Sequence, residues 1–207
     1  MEVYFVRHGE TDANVARRHQ VGKTPLTKLG REQAKVLAQK AKTWSPTHLI
    51  SSSHVRALET SRIISEELDM IPETSRLFTE LHRPSSLHGY HHYSLVSLKY
   101  LFSWFIGREG GDIDGIDGES YKHIRKRIQA AREYLESLPE DSRVIVVSHS
   151  IYINLFITHV CKPSRMSIIG AMRDWIKIQT LGNTEVRKFV VNKGEGKCGW
   201  HLTKNRT

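Results

Sequence analysis

Three short polar segments of the chain carry side chains that can bind or attack a phosphoryl group. Arg7 and His8 directly follow a short apolar run, and His149 follows a second apolar run. Arg56 comes a few residues after a third segment that has the pattern of a strand. A neutral imidazole is available as a nucleophile near neutral pH, and a guanidinium matches the geometry of a phosphate group. If the three segments meet in the fold, they form an anion-binding site that contains a nucleophile.

Other polar residues lie where they could complete such a site by binding a substrate or moving a proton. Gly9 lets the backbone approach a ligand closely, and Asn14 is one helical turn further along the chain. Glu80 follows a short apolar segment, and Ser150 follows His149. Each of these residues has a plain structural explanation when considered alone, such as a glutamate in an exposed loop. Chemistry at these residues therefore requires that they meet at one place.

Apolar residues recur in a pattern that predicts alternating strands and helices. Predicted strands lie at 2–7, 48–52, 75–78, 143–147, 175–180, 186–192 and 200–203. Predicted helices lie at about 27–44, 55–68, 121–138 and 151–160. This order predicts an α/β fold, a three-layer sandwich in which helices flank a mostly parallel sheet. The carboxyl ends of neighbouring parallel strands meet at one edge, where such folds bind their ligands.

The segment 82–118 breaks this pattern. It contains a polar stretch with four histidines, a helix-like apolar run at 95–105 and a glycine-rich loop at 107–118. Within a single domain spanning 1–207, we expect this segment to be an inserted cap that packs over one edge of the sheet. As a cap it would overhang the site and select the leaving group. Its histidines lack the spacing of a metal site, so we expect them to line a pocket or face solvent.

Composition and charge narrow the classes of protein that fit. The chain has 207 residues, 39% of them hydrophobic, and 31 basic against 22 acidic residues give a formal net charge of +9. This charge suits an acidic partner, but no nucleic-acid-binding motif is present, so we expect a small phosphorylated molecule rather than a nucleic acid or a membrane. The two cysteines lack the spacing of a disulfide scaffold or a zinc ribbon, and no signal peptide is expected. We therefore expect a cytoplasmic protein that is a monomer or a homodimer.

Six motifs, in this order along the chain, resemble the histidine phosphatase superfamily in its phosphoglycerate mutase-like branch. They are RHGETDAN at 7–14, TPLTKLGREQA at 24–34, SSSHVRALET at 51–60, TEL at 79–81, DGES at 117–120 and VIVVSHS at 144–150. The resemblance covers nearly the whole chain. It departs from the family at SHS, which stands where SHG is common, so that Ser150 replaces a glycine and narrows the space near a bound phosphate.

The resemblance implies an α/β fold and a two-step phosphoryl transfer. His8 would be the nucleophile that forms a phosphohistidine, and Glu80 would protonate the leaving oxygen and then take a proton from the attacking water. Charge stabilisation would come from Arg7, Arg56 and His149, with further phosphate contacts from Asn14 and the backbone around Ser150. No metal ion and no cofactor are expected, because this set of charges can stand in for a metal.

The function expected from these features is hydrolysis of a phosphate monoester by a metal-independent phosphatase. Phosphoglycerate mutases of the family carry longer insertions and a tail that shield the phosphohistidine from water, and their arginine- and proline-rich substrate segment is missing between 80 and 119. The alternatives are a cofactor-dependent phosphoglycerate mutase and a non-catalytic protein that binds a phosphorylated ligand. The second alternative is disfavoured because every residue of the expected catalytic set is present.

Overall fold

A six-stranded sheet runs through the centre of the computed structural model, which describes residues 1–106, 118–162, 181–194 and 198–203. Its strands are β1 (Glu2–Arg7), β2 (His48–Ser51), β3 (Glu73–Thr74), β4 (Arg143–Ser148), β5 (Val186–Val191) and β6 (Trp200–Leu202). Their order across the sheet is β3-β2-β4-β1-β5-β6. The strands from β3 to β1 are parallel, whereas β5 is antiparallel to β1 and β6 is antiparallel to β5. The mostly parallel sheet expected from the sequence is confirmed.

Helices cover both faces of this sheet. The α-helices of the described residues are α1 (Asp12–Val15), α2 (Lys28–Ala41), α3 (Val55–Leu68), α4 (Leu95–Ile106), α5 (Tyr121–Ser137) and α6 (Ser150–His159). Helices α2 and α3 pack on one face, and α5 and α6 pack on the other. The side chain of Thr27 caps α2 by accepting a hydrogen bond from the Gly30 amide (2.9 Å), as its position before an apolar run predicts.

Strand β4 shows why the central strands are apolar throughout. Val144 and Val146 belong to the core beneath α5 and α6, whereas Ile145 and Val147 belong to the core beneath α2 and α3. Successive side chains of a strand face opposite sides of the sheet. A strand that is covered on both sides therefore has to be apolar at every position, and this confirms the three-layer arrangement.

The edge of the sheet at β3 differs from the expectation. The predicted strand at 75–78 is wrong, because the strand is limited to Glu73–Thr74 and the chain then forms a 3-10 helical turn at Arg76–Phe78. The side chain of Ser75 caps this turn by accepting a backbone hydrogen bond. The turn ends two residues before Glu80 and so sets the position of that carboxylate.

The C-terminal part of the described chain forms the antiparallel pair β5 and β6, which confirms the hairpin strands predicted there. The predicted strand at 175–180 lies outside the described residues. Cys161 and Cys198 form a disulfide, with their Cα atoms 5.3 Å apart, that ties the end of α6 to the start of β6. The sequence analysis did not predict a disulfide between these two cysteines. Disulfides are rare in reducing compartments, so the bridge argues against the cytoplasmic location, which stays a prediction.

The register of the parallel strands brings the polar segments to one edge. Strand β1 ends at Arg7, which pairs with Ser148 at the end of β4. Strand β2 ends at Ser51, beside the same end of β4. The residues that follow β1 and β4 are His8 and His149, and the register places them next to each other.

The described part of the predicted cap, 82–106, is attached on two sides. Trp104 and Tyr100 of α4 pack into the same core as α5, and Trp104 Nε1 donates a hydrogen bond to the Glu119 carbonyl (2.7 Å). On the other side, a β-bridge joins Arg18 to His91. Most of the glycine-rich loop, 107–117, lies outside the described residues. No helix within the described ranges is long and apolar enough to cross a membrane.

Two glycines allow α2 to approach the turn after β1. A Cβ atom on Gly9 would overlap the carbonyl of Gly30, and a Cβ atom on Gly30 would overlap the backbone of Glu10. The Thr27 amide donates a hydrogen bond to the Glu10 carbonyl (2.9 Å) at the same contact. Both positions therefore have to be glycine for the helix to hold the turn that carries His8.

We expect Gly30→Ala to lower the free energy of unfolding by about 1–3 kcal/mol, because overpacking at this contact outweighs the better helix propensity of alanine. Urea denaturation measures the change. Gly182→Ala is the control, since Gly182 is exposed and the nearest atom to an added Cβ is Glu185 Oε2 at 3.4 Å. Equal stability of the two variants would contradict the close approach of α2.

Candidate active site

His8 follows β1 directly and is 2% exposed. Its Nδ1 lies 2.6 Å from the carbonyl oxygen of Gly9. Because a carbonyl oxygen can only accept a hydrogen bond, Nδ1 carries the ring proton. The lone pair of the neutral ring is then on Nε2, which accepts a hydrogen bond from Arg56 Nε (3.1 Å). The backbone thus fixes the tautomer in which the lone pair of the ring is on Nε2.

Arg56, in the first turn of α3, is a buried cation with 1% of its surface exposed. In addition to Nε2 of His8, its guanidinium donates to the Val21 carbonyl (3.0 Å) and to Nδ1 of His54 (3.2 Å). It has no carboxylate partner among the residues that the structure describes. Burial lowers the pKa of Arg56 to about 10, against the opposing effect of the Glu80 carboxylate. A guanidinium that is buried without a counter-ion favours the binding of an anion.

Arg7 supplies a second guanidinium at the end of β1. Its Nη1 donates a hydrogen bond to the Leu181 carbonyl, which anchors the side chain against the loop before β5. Its buried Nε has no partner among the described residues. Burial lowers the pKa of Arg7, and the carboxylates of Glu80 and Glu185 oppose that effect. Arg7 therefore keeps an N–H group available for a ligand oxygen.

His149, which follows β4, is buried behind His8 and His54. It is fully buried, and its ring centroid is 5.1 Å from that of His8 and 4.9 Å from that of His54. Its Nε2 lies 2.7 Å from the Ser52 hydroxyl, and its buried Nδ1 has no partner within the described ranges. If the Ser52 hydroxyl donates this bond, the ring proton is on Nδ1. His149 itself is not among the residues that line the cavity.

Glu80 reaches the site from the other side, just after the 3-10 turn. Its Oε1 accepts hydrogen bonds from the backbone amides of Tyr152 and Leu81 (both 3.0 Å), and its Oε2 lies 3.4 Å from the amide of Ile151. Tyr152 and Ile151 are in the first turn of α6, whose free amides favour a negative charge. The start of α6 thus fixes a carboxylate beside the two arginines.

The three predicted substrate-binding residues are not equivalent. Asn14 and Ser150 line the cavity at the site, and Asn14 Oδ1 also accepts a hydrogen bond from the Thr11 amide (3.2 Å). Gly9 does not line the cavity. Its side faces Gly30, its amide donates to Thr60 Oγ1 (3.1 Å), and its carbonyl holds the His8 ring. The structure therefore gives Gly9 a packing and orienting position instead of direct contact with a ligand.

A cavity of about 570 Å³ connects these residues to the cap. At the strand ends it is lined by Arg7, His8, Arg56 and Glu80. Its far end is formed by the chain after β1 and by the cap, and it includes Arg17, His19, Arg83, His88, His92 and Tyr100. This volume is within the range of small-molecule sites. Within the described residues, no three histidine, cysteine or carboxylate side chains are grouped so as to hold a metal ion.

The family model of the histidine phosphatase superfamily (branch 1) matches residues 3–198. The chain belongs to this superfamily. The resemblance read from the six motifs is confirmed. A curated relative, the probable phosphoglycerate mutase GpmB of Enterobacter sp. (strain 638), is 35% identical over 174 residues, which covers 77% of this chain and 74% of the relative.

Solved structures show the same fold as this histidine phosphatase family member. A mycobacterial glucosyl-3-phosphoglycerate phosphatase in complex with VO3 superposes with a TM-score of 0.74 at 23% identity, covering 98% of this chain and 96% of that one. A phosphoserine phosphatase variant from Entamoeba histolytica, in complex with phosphoserine, gives a TM-score of 0.76 at 23% identity, covering 100% and 96% of the two chains. At this level of identity, the likeness establishes the fold.

Two further residues of the site were missed by the sequence analysis. His54 contacts both Arg56 and His149, and burial lowers its pKa to about 4. Ser52 holds Nε2 of His149. Both lie inside the motif SSSHVRALET of the histidine phosphatase resemblance, so their closeness to Arg56 in sequence was an available signal. What the motif did not indicate is that they reach the histidine after β4.

Both imidazoles at the strand ends are held neutral. Burial lowers the pKa of His8 and of His149 well below the ordinary histidine value, and the guanidinium of Arg56 adds to the effect on each. In the unfolded chain both rings titrate near pH ~6.5. Below that pH the unfolded state binds protons that the folded state does not, so stability falls as the pH falls.

Because of each of these two rings, we expect the free energy of unfolding to fall by about 1.4 kcal/mol as the pH is lowered from about 7.5 to about 5.5. In His149→Gln, the free energy of unfolding should fall by about 1.4 kcal/mol less over this pH range than in the wild-type protein. This difference does not depend on the stability of the variant at pH ~7.5. Urea denaturation at the two pH values measures the difference. An unchanged fall over this pH range in His149→Gln would contradict a neutral buried ring.

Proposed function

We propose that this chain is a phosphatase that hydrolyses a phosphate monoester through a phosphohistidine at Nε2 of His8. The observation that carries the proposal is the fixed tautomer of His8, whose Nδ1 is held by the Gly9 carbonyl and whose Nε2 lone pair faces Arg56 Nε. Family membership supports the same reaction. A ring that stays neutral at neutral pH can attack phosphorus without first losing a proton.

In the first step, the Nε2 lone pair attacks phosphorus as the bond from phosphorus to the leaving oxygen breaks. Glu80, which carries a proton when this step begins, transfers it to the leaving oxygen and becomes the carboxylate that accepts the hydrogen bonds of the α6 amides. The ring of His8 becomes the phosphohistidine and keeps its Nδ1 proton on the Gly9 carbonyl. In the second step, a water oxygen attacks phosphorus, the nitrogen–phosphorus bond breaks, and the Glu80 carboxylate takes the proton of the water.

Arg56 and Arg7 act as positive charges for the equatorial oxygens of the transferring group. Arg56 has to exchange its hydrogen bond to Nε2 for one to a phosphoryl oxygen when the substrate binds. Arg7 Nε and His149 Nδ1, which have no partner within the described residues, would be further donors, with Asn14 and Ser150 on the cavity lining as additional polar contacts. These groups are already in place before the substrate arrives, so no large reorganisation accompanies the reaction.

The second function to be tested is that of a phosphoglycerate mutase, which the name of the curated relatives favours. A mutase returns the phosphoryl group of His8 to a different oxygen of the substrate and has to keep water away from the intermediate. The two phosphatases that share this fold support hydrolysis instead. The absence of the arginine- and proline-rich substrate segment between 80 and 119 supports it as well.

His8→Ala should abolish turnover and phosphoenzyme formation, because it removes the nucleophilic atom. Rapid mixing of the wild-type protein with a labelled phosphate ester, followed by acid and alkaline quench, detects a phosphohistidine by its lability to acid. With 3-phosphoglycerate as the ester, we expect inorganic phosphate and glycerate, and no 2-phosphoglycerate. Phosphate release by His8→Ala at the wild-type rate would exclude the phosphohistidine route, and accumulation of 2-phosphoglycerate would favour the mutase.

Glu80→Gln should separate the two steps. Glutamine keeps an oxygen for the Tyr152 amide but cannot donate or accept the proton, so kcat for an alkyl phosphate should fall by about 10²- to 10⁴-fold. Phosphorylation by p-nitrophenyl phosphate, whose leaving group needs no proton, should remain fast, and the phosphoenzyme should accumulate. Glu59→Gln, a carboxamide on α3 away from the cavity lining, is the control. Equal loss with both esters, and no accumulated phosphoenzyme, would contradict the role of Glu80.

A further inference from the structure

The segment that carries Glu80 follows the last residue of β3, where the hydrogen-bond ladder of the sheet has ended. Strand β3 ends at Thr74, and the 3-10 turn at Arg76–Phe78 forms two backbone hydrogen bonds, both to carbonyls at or just before its start. The carbonyls at 77–80 therefore need donors from other elements, because an unpaired buried peptide group is costly. The Ser148 hydroxyl supplies one such bond, to the carbonyl of Phe78 (2.6 Å). The other carbonyls are bound by one side chain of α5.

That side chain is Arg127, whose guanidinium holds the segment at several points. Its Nη1 donates hydrogen bonds to the carbonyls of Leu77 (3.0 Å) and Thr79 (2.7 Å), and its Nη2 lies 3.5 Å from the Glu80 carbonyl. Its guanidinium carbon is also 4.9 Å from the centroid of the Tyr152 ring, and the Tyr152 amide binds the Glu80 carboxylate. Arg127 therefore contacts both the chain that carries Glu80 and a residue that holds its side chain.

Glu119 sets the orientation of this guanidinium. Its two carboxylate oxygens accept hydrogen bonds from Nε and Nη2 of Arg127 (2.9 and 2.7 Å), and two such bonds fix the plane of the guanidinium. Burial by itself would lower the pKa of Arg127, but the hydrogen bonds and the charge of Glu119 raise it above the ordinary arginine value. Arg127 therefore stays charged, and each of its three side-chain nitrogens has an acceptor.

The main chain of Glu119 is itself fixed at the base of the predicted cap. Its amide donates a hydrogen bond to the His82 carbonyl (2.7 Å), and its carbonyl accepts one from Trp104 Nε1 (2.7 Å). The side chains of Glu119 and Arg127 are only 8% and 16% exposed, and neither residue lines the cavity. This ion pair can therefore affect the reaction only through the residues that it holds in place.

We propose that Arg127 and Glu119 are positioning residues for proton transfer by Glu80, because their ion pair fixes the chain at 77–80 so that the carboxyl group reaches the leaving oxygen. This inference rests on the proposed function, in which Glu80 is the acid of the first step and the base of the second. Lysine is a single charged centre without the planar fork of arginine, so it cannot bind the two carbonyls and both carboxylate oxygens at once. A displacement of a proton donor by about 1 Å lowers the rate by up to about 10²-fold.

The test compares an ester whose leaving oxygen needs a proton, 3-phosphoglycerate, with one that does not, p-nitrophenyl phosphate. The ratio of kcat/KM for the two esters is measured on one sample of each variant, so it does not depend on the folded fraction. The variants are Arg127→Lys and Glu119→Gln, each in the wild-type protein and in Glu80→Gln. Arg132→Lys is the matched control on α5, because Arg132 also bonds to a carboxylate and to a carbonyl, that of Val160 (2.8 and 3.0 Å).

Arg127→Lys should lower kcat/KM for 3-phosphoglycerate about 10- to 100-fold, and that for p-nitrophenyl phosphate less than about threefold. Glu119→Gln should lower the same ratio by a smaller factor, and Arg132→Lys should retain it. In Glu80→Gln, which has already lost the proton, neither substitution should change the ratio more than about threefold. An equal loss for both esters, or an equal loss of the ratio with and without the Glu80 carboxyl group, indicates a purely structural ion pair and overturns the proposal.

Hydrogen exchange at the Tyr152 amide is a measurement that is independent of turnover. This amide lies in the first turn of α6, where it has no acceptor within the helix, and it donates to Glu80 Oε1. NMR should show exchange that is at least about tenfold faster in Arg127→Lys and unchanged in Arg132→Lys. Unchanged exchange in Arg127→Lys overturns the positioning role. Faster exchange, together with a Glu80→Gln variant that keeps the wild-type ratio for the two esters, supports the positioning role and overturns the proposed proton transfer by Glu80.

Discussion

The hydrogen bond from the buried guanidinium of Arg56 to Nε2 of His8 is the interaction on which the site depends. It joins a buried cation to a neutral ring. Among the described residues no carboxylate bonds to this guanidinium, although the Glu80 carboxylate is near enough to oppose the lowering of its pKa. Removing a charge from water is costly, and neutral acceptors recover only part of that cost. In the proposed function, the phosphoryl group of the substrate supplies an anionic partner for this guanidinium.

Most of the surrounding structure maintains this arrangement. The Gly9 carbonyl keeps the proton of His8 on Nδ1, and the ring of His54 accepts a hydrogen bond from Arg56 while staying neutral. The parallel register of β1 and β4 then sets His149 beside His8. Each of these contacts affects the protonation state or the position of His8 or of Arg56. A change in the packing beneath the site is therefore expected to alter the protonation or the placement of these two groups.

Residues 82–106, which we predict to be a cap, are attached both to the segment after α1 and to the core. Backbone hydrogen bonds link the segment that follows α1 to residues 89–92, and α4 is anchored by Trp104 in the core shared with α5. The part of the cavity lined by His8, Arg56 and Glu80 is built on strand ends and helix starts. The part lined by residues 82–92 is built on a loop and a short bridge, where substitutions disturb the sheet less.

The sequence by itself determined the order of the main strands and helices, apart from the strand at the β3 edge, together with the two-sided burial of the central strands and the residues gathered at the strand ends. These follow from periodicity along the chain and from motifs that are contiguous in sequence. It did not determine the packing of Gly9 against Gly30, the contact of His54 with His149, the pairing of Cys161 with Cys198 or the 3-10 turn before Glu80. Each of these depends on how separate elements are placed against one another, and on the space and hydrogen-bond partners that this placement leaves. Only the tertiary structure decides these contacts, because the local sequence pattern does not show which residues far apart in the chain will meet.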